Sequence, residues 1–375
     1  MRRLFAWLPL LAFLVLIATI LGLRFGLVRE AVHAAIEQAS GRFVPAGAPA
    51  TQDSNEVALG RLLFFDPVLS SNERRACAGC HMPSRGMTDG NRVSVAIDRT
   101  ALPRNAPAIL NATDHRAFFW DGRAGSLEEQ IDGPVHNRRE LGGLSAGAIE
   151  GRLASIPEYR RLFAGVFGAP KPRYADARSA IAAYERTLRS QGSTVDRWWR
   201  GEIPTADVAV DVREGFQLFA GKAQCSRCHY LPLTTSVTPG EFRIQEFNVI
   251  GVPRDSSGTA LDPDLGRYVV THVDADRHAF KAPSLRNVAH TAPYMHNGAF
   301  ATLDQVVRFY NRGGGRGLGL DLPNQSPEVH PLHLTEHEEH VLVRFLEALS
   351  DDPAALAAAS PPPRVPSGRK PGGEY

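Results

Sequence analysis

The sequence predicts an all-α protein in which one helical unit is used twice, with long loops between its helices. Three observations carry the prediction. All four cysteines fall in two copies of one motif, Cys77-Ala78-Gly79-Cys80-His81 and Cys225-Ser226-Arg227-Cys228-His229. Each copy follows a stretch with glycine and apolar residues in matching places, Gly60-Arg61-Leu62-Leu63-Phe64 and Gly215-Phe216-Gln217-Leu218-Phe219. Each unit then closes on an amphipathic pattern of helical period.

Taken in order, the chain opens on an uncharged, almost wholly apolar run from Leu4 to Leu23, with Arg2 and Arg3 before it and Arg24 after it. A run of about 20 such residues spans a bilayer as a helix, and the basic start keeps the N-terminus in the cytoplasm. No small-x-small site follows directly, so residues 1–25 are expected to be a retained anchor rather than a cleaved signal peptide. Residues 26–51 form a linker. Val57–Phe64 reads as the first helix of the first unit, where Gly60 allows another helix to cross closely. The crossing helix is expected over Ala177–Leu188, with Ile181, Tyr184 and Leu188 on one face. Gly201–Asp207 marks the boundary between units of residues 52–203 and 204–350. Val212–Phe219 repeats the first helix, with Gly215 in the place of Gly60. Thr335 and Glu338 form a capping box that opens a last helix through Val341, Leu342, Phe345, Leu346 and Leu349. Residues 351–375 are rich in Ala, Pro and Gly and are expected to be a disordered tail.

C-x-x-C-H is the attachment sequence of c-type haem. Its two thiols form thioethers with the haem vinyl groups, and the histidine reaches the iron. Two copies and no spare cysteine imply two covalently bound haem c groups. A structural zinc site would bring its Cys pairs closer together in sequence, and a redox pair has no need of a following histidine. Two crossing helices around each haem give two tandem cytochrome c-like domains. Haem c is attached outside the cytoplasm, which agrees with the export segment. A periplasmic protein held in the inner membrane by residues 4–23 is therefore expected. A net charge of +2 gives no field that points to nucleic acid.

The loops differ between the halves. No histidine lies between His81 and His115, so nothing evident caps the first iron. The second half offers Met295, His296 and Tyr310. A haem pair could serve as a non-enzymatic electron carrier, but an iron with a free side can bind a small ligand such as peroxide.

Here the sequence resembles the bacterial dihaem cytochrome c peroxidase and MauG family. The resemblance rests on Asp66-Pro67-Val68-Leu69-Ser70, the first haem motif, Arg104-Asn105-Ala106-Pro107 and Phe119-Trp120-Asp121-Gly122-Arg123. It continues in Leu285-Arg286-Asn287-Val288 and Ala292-Pro293-Tyr294-Met295-His296-Asn297-Gly298, all in order between about residues 52 and 350. The resemblance implies that Trp120 relays electrons between the haems. It implies a distal pocket of Gln130, Pro134 and Glu140 over the first haem, with Glu140 as acid–base and Gln130 as hydrogen-bond partner of peroxide. Splitting the O–O bond needs a proton moved between its oxygens, which a carboxylate can do; Glu128 and Glu129 read as a solvated helix face instead. The resemblance also implies a Ca²⁺ site from Asn105, Thr291 and Pro293, whose oxygens are hard donors suited to that ion.

Two departures bear on the subtype. Many family members have a capping histidine where this chain has Ile97, so the first haem is expected to be open without reductive activation. Where they have a methionine ligand, 14 residues after His296, this chain has Tyr310. His229/Tyr310 ligation of the second haem is expected, with Met295 as the rival. The reading is a peroxidase that reduces hydrogen peroxide with electrons from a small cytochrome c or cupredoxin. The alternative is a MauG-like enzyme whose electrons come from the side chains of a partner protein.

Overall fold

The computed structural model describes residues 53–236, 246–352 and 359–373. The expected anchor and linker lie outside the described residues. Among these, no helix is long and apolar enough to cross a membrane.

The first unit begins with α1 (Ser54–Phe65), capped by Asp53, whose side chain accepts the Asn55 N–H. The helix stops at Asp66, whose carboxylate accepts the Val68 N–H and turns the chain at Pro67. Four more helices follow: α2 (Leu127–His136), α3 (Ala146–Ser155), α4 (Pro157–Phe167) and α5 (Tyr174–Arg186). α5 starts a turn earlier than its apolar face indicated. It crosses α1 at Gly60, where a Cβ atom would lie 1.7 Å from the Ala180 carbonyl oxygen. No residue with a side chain fits that crossing. Leu59, Leu63, Phe64, Phe163, Ile181 and Tyr184 fill the core around it.

The second unit repeats the device. After α6 (Thr194–Trp199), α7 (Val210–Ala220) crosses the last helix, α9 (Glu336–Glu347), at Gly215. There a Cβ would lie 2.1 Å from the Val341 carbonyl oxygen. Phe216, Phe219, Leu342, Phe345 and Leu349 pack around the crossing. Thr335 and Glu338 make the expected capping box. Between them lies α8 (Leu303–Asn311), and a small antiparallel ladder of β1 (Phe247–Val249) with β2 (Ala279–Lys281) is added to the helical frame.

Two of the sequence signatures lock the units together. Arg286 is buried and pairs with Asp196 at 2.5 Å. Asn287 donates to Ser190 Oγ at 2.7 Å and accepts the Asp351 N–H. Arg104 bridges Asp121 and Asp264, each at 2.6 Å.

The C-terminal segment corrects the expectation of a disordered tail. Residues 359–373 run as a strap over the first unit, with Ala359 and Val365 buried in its core. Ser367 donates from both its backbone N–H and its hydroxyl to Asp66, and Arg61 donates to the Ser360 carbonyl. The Gly372 N–H bonds the Phe65 carbonyl at 2.7 Å. Composition judges a segment as if it stood alone. This one has no core of its own but borrows one, and its Pro361-Pro362-Pro363 run has little freedom to lose.

Candidate haem pockets and the residues around them

Each C-x-x-C-H motif folds as one tight 3₁₀ turn, Cys77–Gly79 and Cys225–Arg227. In both, the histidine N–H returns to the first cysteine's carbonyl, at 3.0 Å for His81 and 2.9 Å for His229. Each imidazole is also fixed through Nδ1, His81 by the Met87 carbonyl and His229 by the Pro283 carbonyl, both at 3.1 Å. A carbonyl at Nδ1 holds the proton there and leaves Nε2 as a lone-pair donor, the arrangement of a metal-ligating histidine. Burial depresses both imidazoles, His229 to about 4, so each is neutral and ready to ligate. Burial also raises the thiols, to about 12 for Cys77, Cys80 and Cys225 and about 11 for Cys228. Among the described residues no three His, Cys, Asp or Glu side chains converge on a metal position, so the two cysteine pairs do not form a joint zinc site. Two separate motifs with oriented, neutral histidines in apolar surroundings fit haem c.

α2 carries Gln130 and Pro134 four residues apart, hence on one face. Pro134 has no N–H to give to the Gln130 carbonyl, which loses its usual helical partner. Glu140 follows on the turn after α2, where Asn137 Nδ2 donates to its Oε1 at 2.7 Å. Burial raises its carboxyl above the usual range, against the opposing pull of Arg123 and Asn137. Glu140 lies within electrostatic reach of Cys80. Its rivals are engaged elsewhere: Glu128 pairs with Arg186 at 2.6 Å, and Glu129 accepts the Gly125 N–H. Ile97 sits beside this turn, its N–H bonded to the Arg139 carbonyl at 2.7 Å. Position 97 thus borders the Glu140 turn and presents an alkyl group that cannot ligate.

Phe119 and Gly133 were missed in the sequence. The Phe119 ring lies against α2 so closely that a Cβ on Gly133 would be 2.5 Å from it. Arg123 stacks on the face of that ring, 3.4 Å from its centroid. The Gly133-Pro134 pair inside an otherwise regular helical pattern was the available signal.

Trp120 stands where the units meet. Its indole N–H donates to the Asn105 carbonyl at 2.9 Å, and its own carbonyl accepts the N–H of Lys281 on β2. His296 lies edge-on to the indole at 6.5 Å, stacks on Phe280 at 3.6 Å, and points Nε2 toward Asp262 at 3.3 Å. The Asn105 side chain faces the carbonyls of Asn91, Arg92 and Pro293, with the last at 3.4 Å from Nδ2. Thr291 is nearby in the chain but turns its hydroxyl to the Val288 carbonyl. As placed, the Asn105 amide donates; presenting its oxygen to a cation takes a half-turn of the amide.

Tyr310, on α8, is half-buried within electrostatic reach of Cys228 and Cys225, and desolvation pushes its phenol well up. Tyr310 and Cys225 both pack against the core of the second unit, and Met295 joins Tyr310 in the adjoining cluster. Tyr310 therefore lies near the second motif, and Met295 shares a cluster with Tyr310.

Comparison with known proteins gives these pockets a context. The family profile of the di-haem cytochrome c peroxidases matches residues 54–203. The chain is 38% identical over 333 residues to the cytochrome-c peroxidase IdrP1 of Denitromonas iodatirespirans, covering 82% of this chain and 84% of that protein. It is 37% identical over 302 residues to the methylamine utilization protein MauG of Methylorubrum extorquens, covering 80% of each. A crystal structure of a MauG-like protein associated with microbial copper homeostasis superposes with a TM-score of 0.75 at 30% identity, over 85% of this chain and 97% of that one. The pocket geometry and these likenesses agree, and the chain belongs to the di-haem cytochrome c peroxidase and MauG family, as an oxidoreductase of the peroxidase type.

Proposed function

We propose that the protein reduces hydrogen peroxide to water at the first haem site, with electrons delivered through the second by a small periplasmic cytochrome c or cupredoxin. The observation that carries the reading is the Glu140 turn, a half-buried carboxyl held above its ordinary range, within electrostatic reach of Cys80 and beside Ile97. The haem held by Cys77, Cys80 and His81 would supply the redox-active iron. Glu140 takes the proton from one peroxide oxygen and returns it to the other. Gln130 orients the ligand, and Pro134 shapes the face on which it sits. Trp120, tied to both units, passes electrons between the sites. Cys225, Cys228 and His229 would hold the second haem, and Tyr310 would be the further residue to ligate its iron. A phenolate there favours the higher oxidation state of iron. Ca²⁺ bound by Asn105, Thr291 and Pro293 would stiffen the segment that anchors the Trp120 indole. Residues 4–23 place the enzyme at the periplasmic side of the inner membrane.

Ile97 and Tyr310 also favour a second reading, in which a partner protein's side chains supply the electrons, as in a MauG-like modifying enzyme. One experiment separates the possibilities. Stoichiometric peroxide is added to the fully oxidised two-haem protein, and its consumption is followed with and without a reduced small cytochrome c. Immediate consumption followed by turnover with the cytochrome is the expected outcome. Consumption without turnover favours the protein-modifying reading. No consumption until one haem is reduced would overturn the role given to Ile97.

A further inference from the structure

A small hairpin, residues 94–102, joins the first haem motif to the Glu140 turn. It closes through the Ala96 N–H to the Thr100 carbonyl and the Leu102 N–H to the Ser94 carbonyl, both at 2.7 Å, with Val95 paired to Ala101. Arg99 turns its tip with a φ of 68°. A lone hairpin of this size is marginal in water, so its position depends on what holds it from outside.

Two arginines hold it, one from each side of the proposed reaction. Arg75 stands two residues ahead of Cys77. Its guanidinium donates to two successive carbonyls of the first strand, that of Val95 and, at 2.7 Å, that of Ala96. The Arg75 backbone is seated in turn. Its N–H donates to the Ser70 hydroxyl at 3.2 Å, and the residue pairs with Gly373 at the end of the C-terminal strap. Arg139 is the residue before Glu140. Its Nη2 donates to the Ala101 carbonyl of the second strand at 2.6 Å and to the Thr100 hydroxyl at 3.1 Å. Its own carbonyl accepts the Ile97 N–H at 2.7 Å.

The peptide group between Ala96 and Ile97 is therefore gripped at both ends. Arg75 holds its oxygen, and the peptide group between Arg139 and Glu140 holds its N–H. Asn137 locks the far end, accepting the Arg139 N–H on Oδ1 at 2.9 Å and donating from Nδ2 to Glu140 Oε1 at 2.7 Å. A guanidinium is a rigid fork of donors, so two carbonyls held together fix direction as well as distance. Hydrogen bonds from a charged donor are also the stronger ones. Arg75 and Glu140 both lie within electrostatic reach of Cys80, so the path ends at the motif from which it began. A carboxyl that moves a proton between two oxygens must be within hydrogen-bond reach of both, and a supporting shell is what keeps it there.

We propose that Arg75 and Arg139 are positioning residues of the peroxide reaction, clamping the 94–102 hairpin between them and so holding the Glu140 carboxyl at a fixed place relative to the first haem motif. Both act through Glu140 and not on peroxide itself. The proposal rests on the reading of Glu140 as the proton carrier.

The test compares the two-haem wild type with Arg75→Met, Glu140→Gln and the double variant, by hydrogen exchange and by stopped-flow peroxide consumption. Arg75→Met should lose amide protection at Ile97 and also at Glu140 on the far turn, while the crossing of α1 and α5 keeps its protection. Its peroxide consumption should slow about 10²-fold, the cost of a misplaced reacting group. In the Glu140→Gln background the same substitution should slow it no further, because the group being positioned is already gone. A merely structural arginine would add its loss in both backgrounds. That additive loss, or full protection at Glu140 in Arg75→Met, would overturn the proposal alone. Wild-type peroxide consumption in Glu140→Gln would overturn the reading of Glu140 and the positioning role together. Arg139→Met, at an exposed side chain, is the second variant should Arg75→Met lose a haem. It should show the same lost protection in the hairpin and the same dependence on Glu140, and a wild-type rate with intact protection would overturn the clamp.

Discussion

In the first unit the carbonyl that fixes the histidine belongs to Met87, six residues along the same loop; in the second it belongs to Pro283, 54 residues away. Around this difference the scaffolds match. Both units cross two helices at a glycine, and both fold their motif as the same turn. The surroundings then diverge. The first pocket borders a raised carboxyl and an alkyl side chain, the second a half-buried phenol, with a thioether in the adjoining cluster. Duplication supplied the frame twice, while the loops decide what each frame does. The local anchor of His81 leaves its pocket free for loop residues of α2 and its turn. The remote anchor of His229 ties the second site to the ladder that also meets Trp120.

The largest effect should come from removing the polar side of the first pocket. Glu140→Gln should lower peroxide turnover about 10²–10⁴-fold and leave the absorption of the second haem unchanged, read by steady-state kinetics and spectra of the same sample. An equal change at both haems would break the contrast between the units.

The shared frame should be sensitive at the crossings. Gly60→Ala and Gly215→Ala each force a Cβ into a backbone carbonyl and should each cost about 3 kcal/mol, measured by denaturant unfolding. Each should also loosen the haem of its own unit first, seen as a change in one Soret component.

The C-terminal strap belongs to one unit only, which sharpens the comparison further. Ending the chain after Asp352 removes Val365 and Ala359 from the first core and should destabilise that unit by about 2 kcal/mol, with little effect on the second. Hydrogen exchange resolves the two units. Uniform loss of protection would show that the strap supports the whole molecule.

A pH dependence separates the units as well, through Glu185 on α5. Burial raises its carboxyl from 4.5 to about 8. Between these values the folded protein binds a proton that the unfolded chain has released, so stability falls as pH rises through the window. Glu185→Gln should flatten that slope, measured as midpoint temperature against pH. A slope that persists unchanged would assign it to another group.

Much of this was legible in the residues. The two motifs, Gly60, Gly215 and the Thr335 capping box each act through contacts a few residues long or through a requirement only glycine meets. The roles given to Trp120 and Glu140 came from the family resemblance; the structure adds their partners and puts Glu140 on the turn after α2. Less was legible where composition stood in for contacts. The C-terminal segment read as disordered because its docking surface, Asp66 and the first core, lies some 300 positions earlier. The packing of Phe119 on Gly133 was not read for a similar reason, since a ring pressed on a helix leaves no periodic trace and only the Gly133-Pro134 pair marks the place.

The sequence by itself determined that there are two haem-attachment motifs and that a glycine-bearing helix precedes each, and it marked Ile97 and Tyr310 as the positions where the two pockets are expected to differ. These features depend on covalent chemistry and on near neighbours in the chain. Only the tertiary structure decided which carbonyls orient His81 and His229, that the tail closes the first unit, and that the Lys281 N–H of the ladder holds the Trp120 carbonyl. Those arrangements join residues far apart in the chain, and buried polar groups there find their partners only once the chain has folded around them.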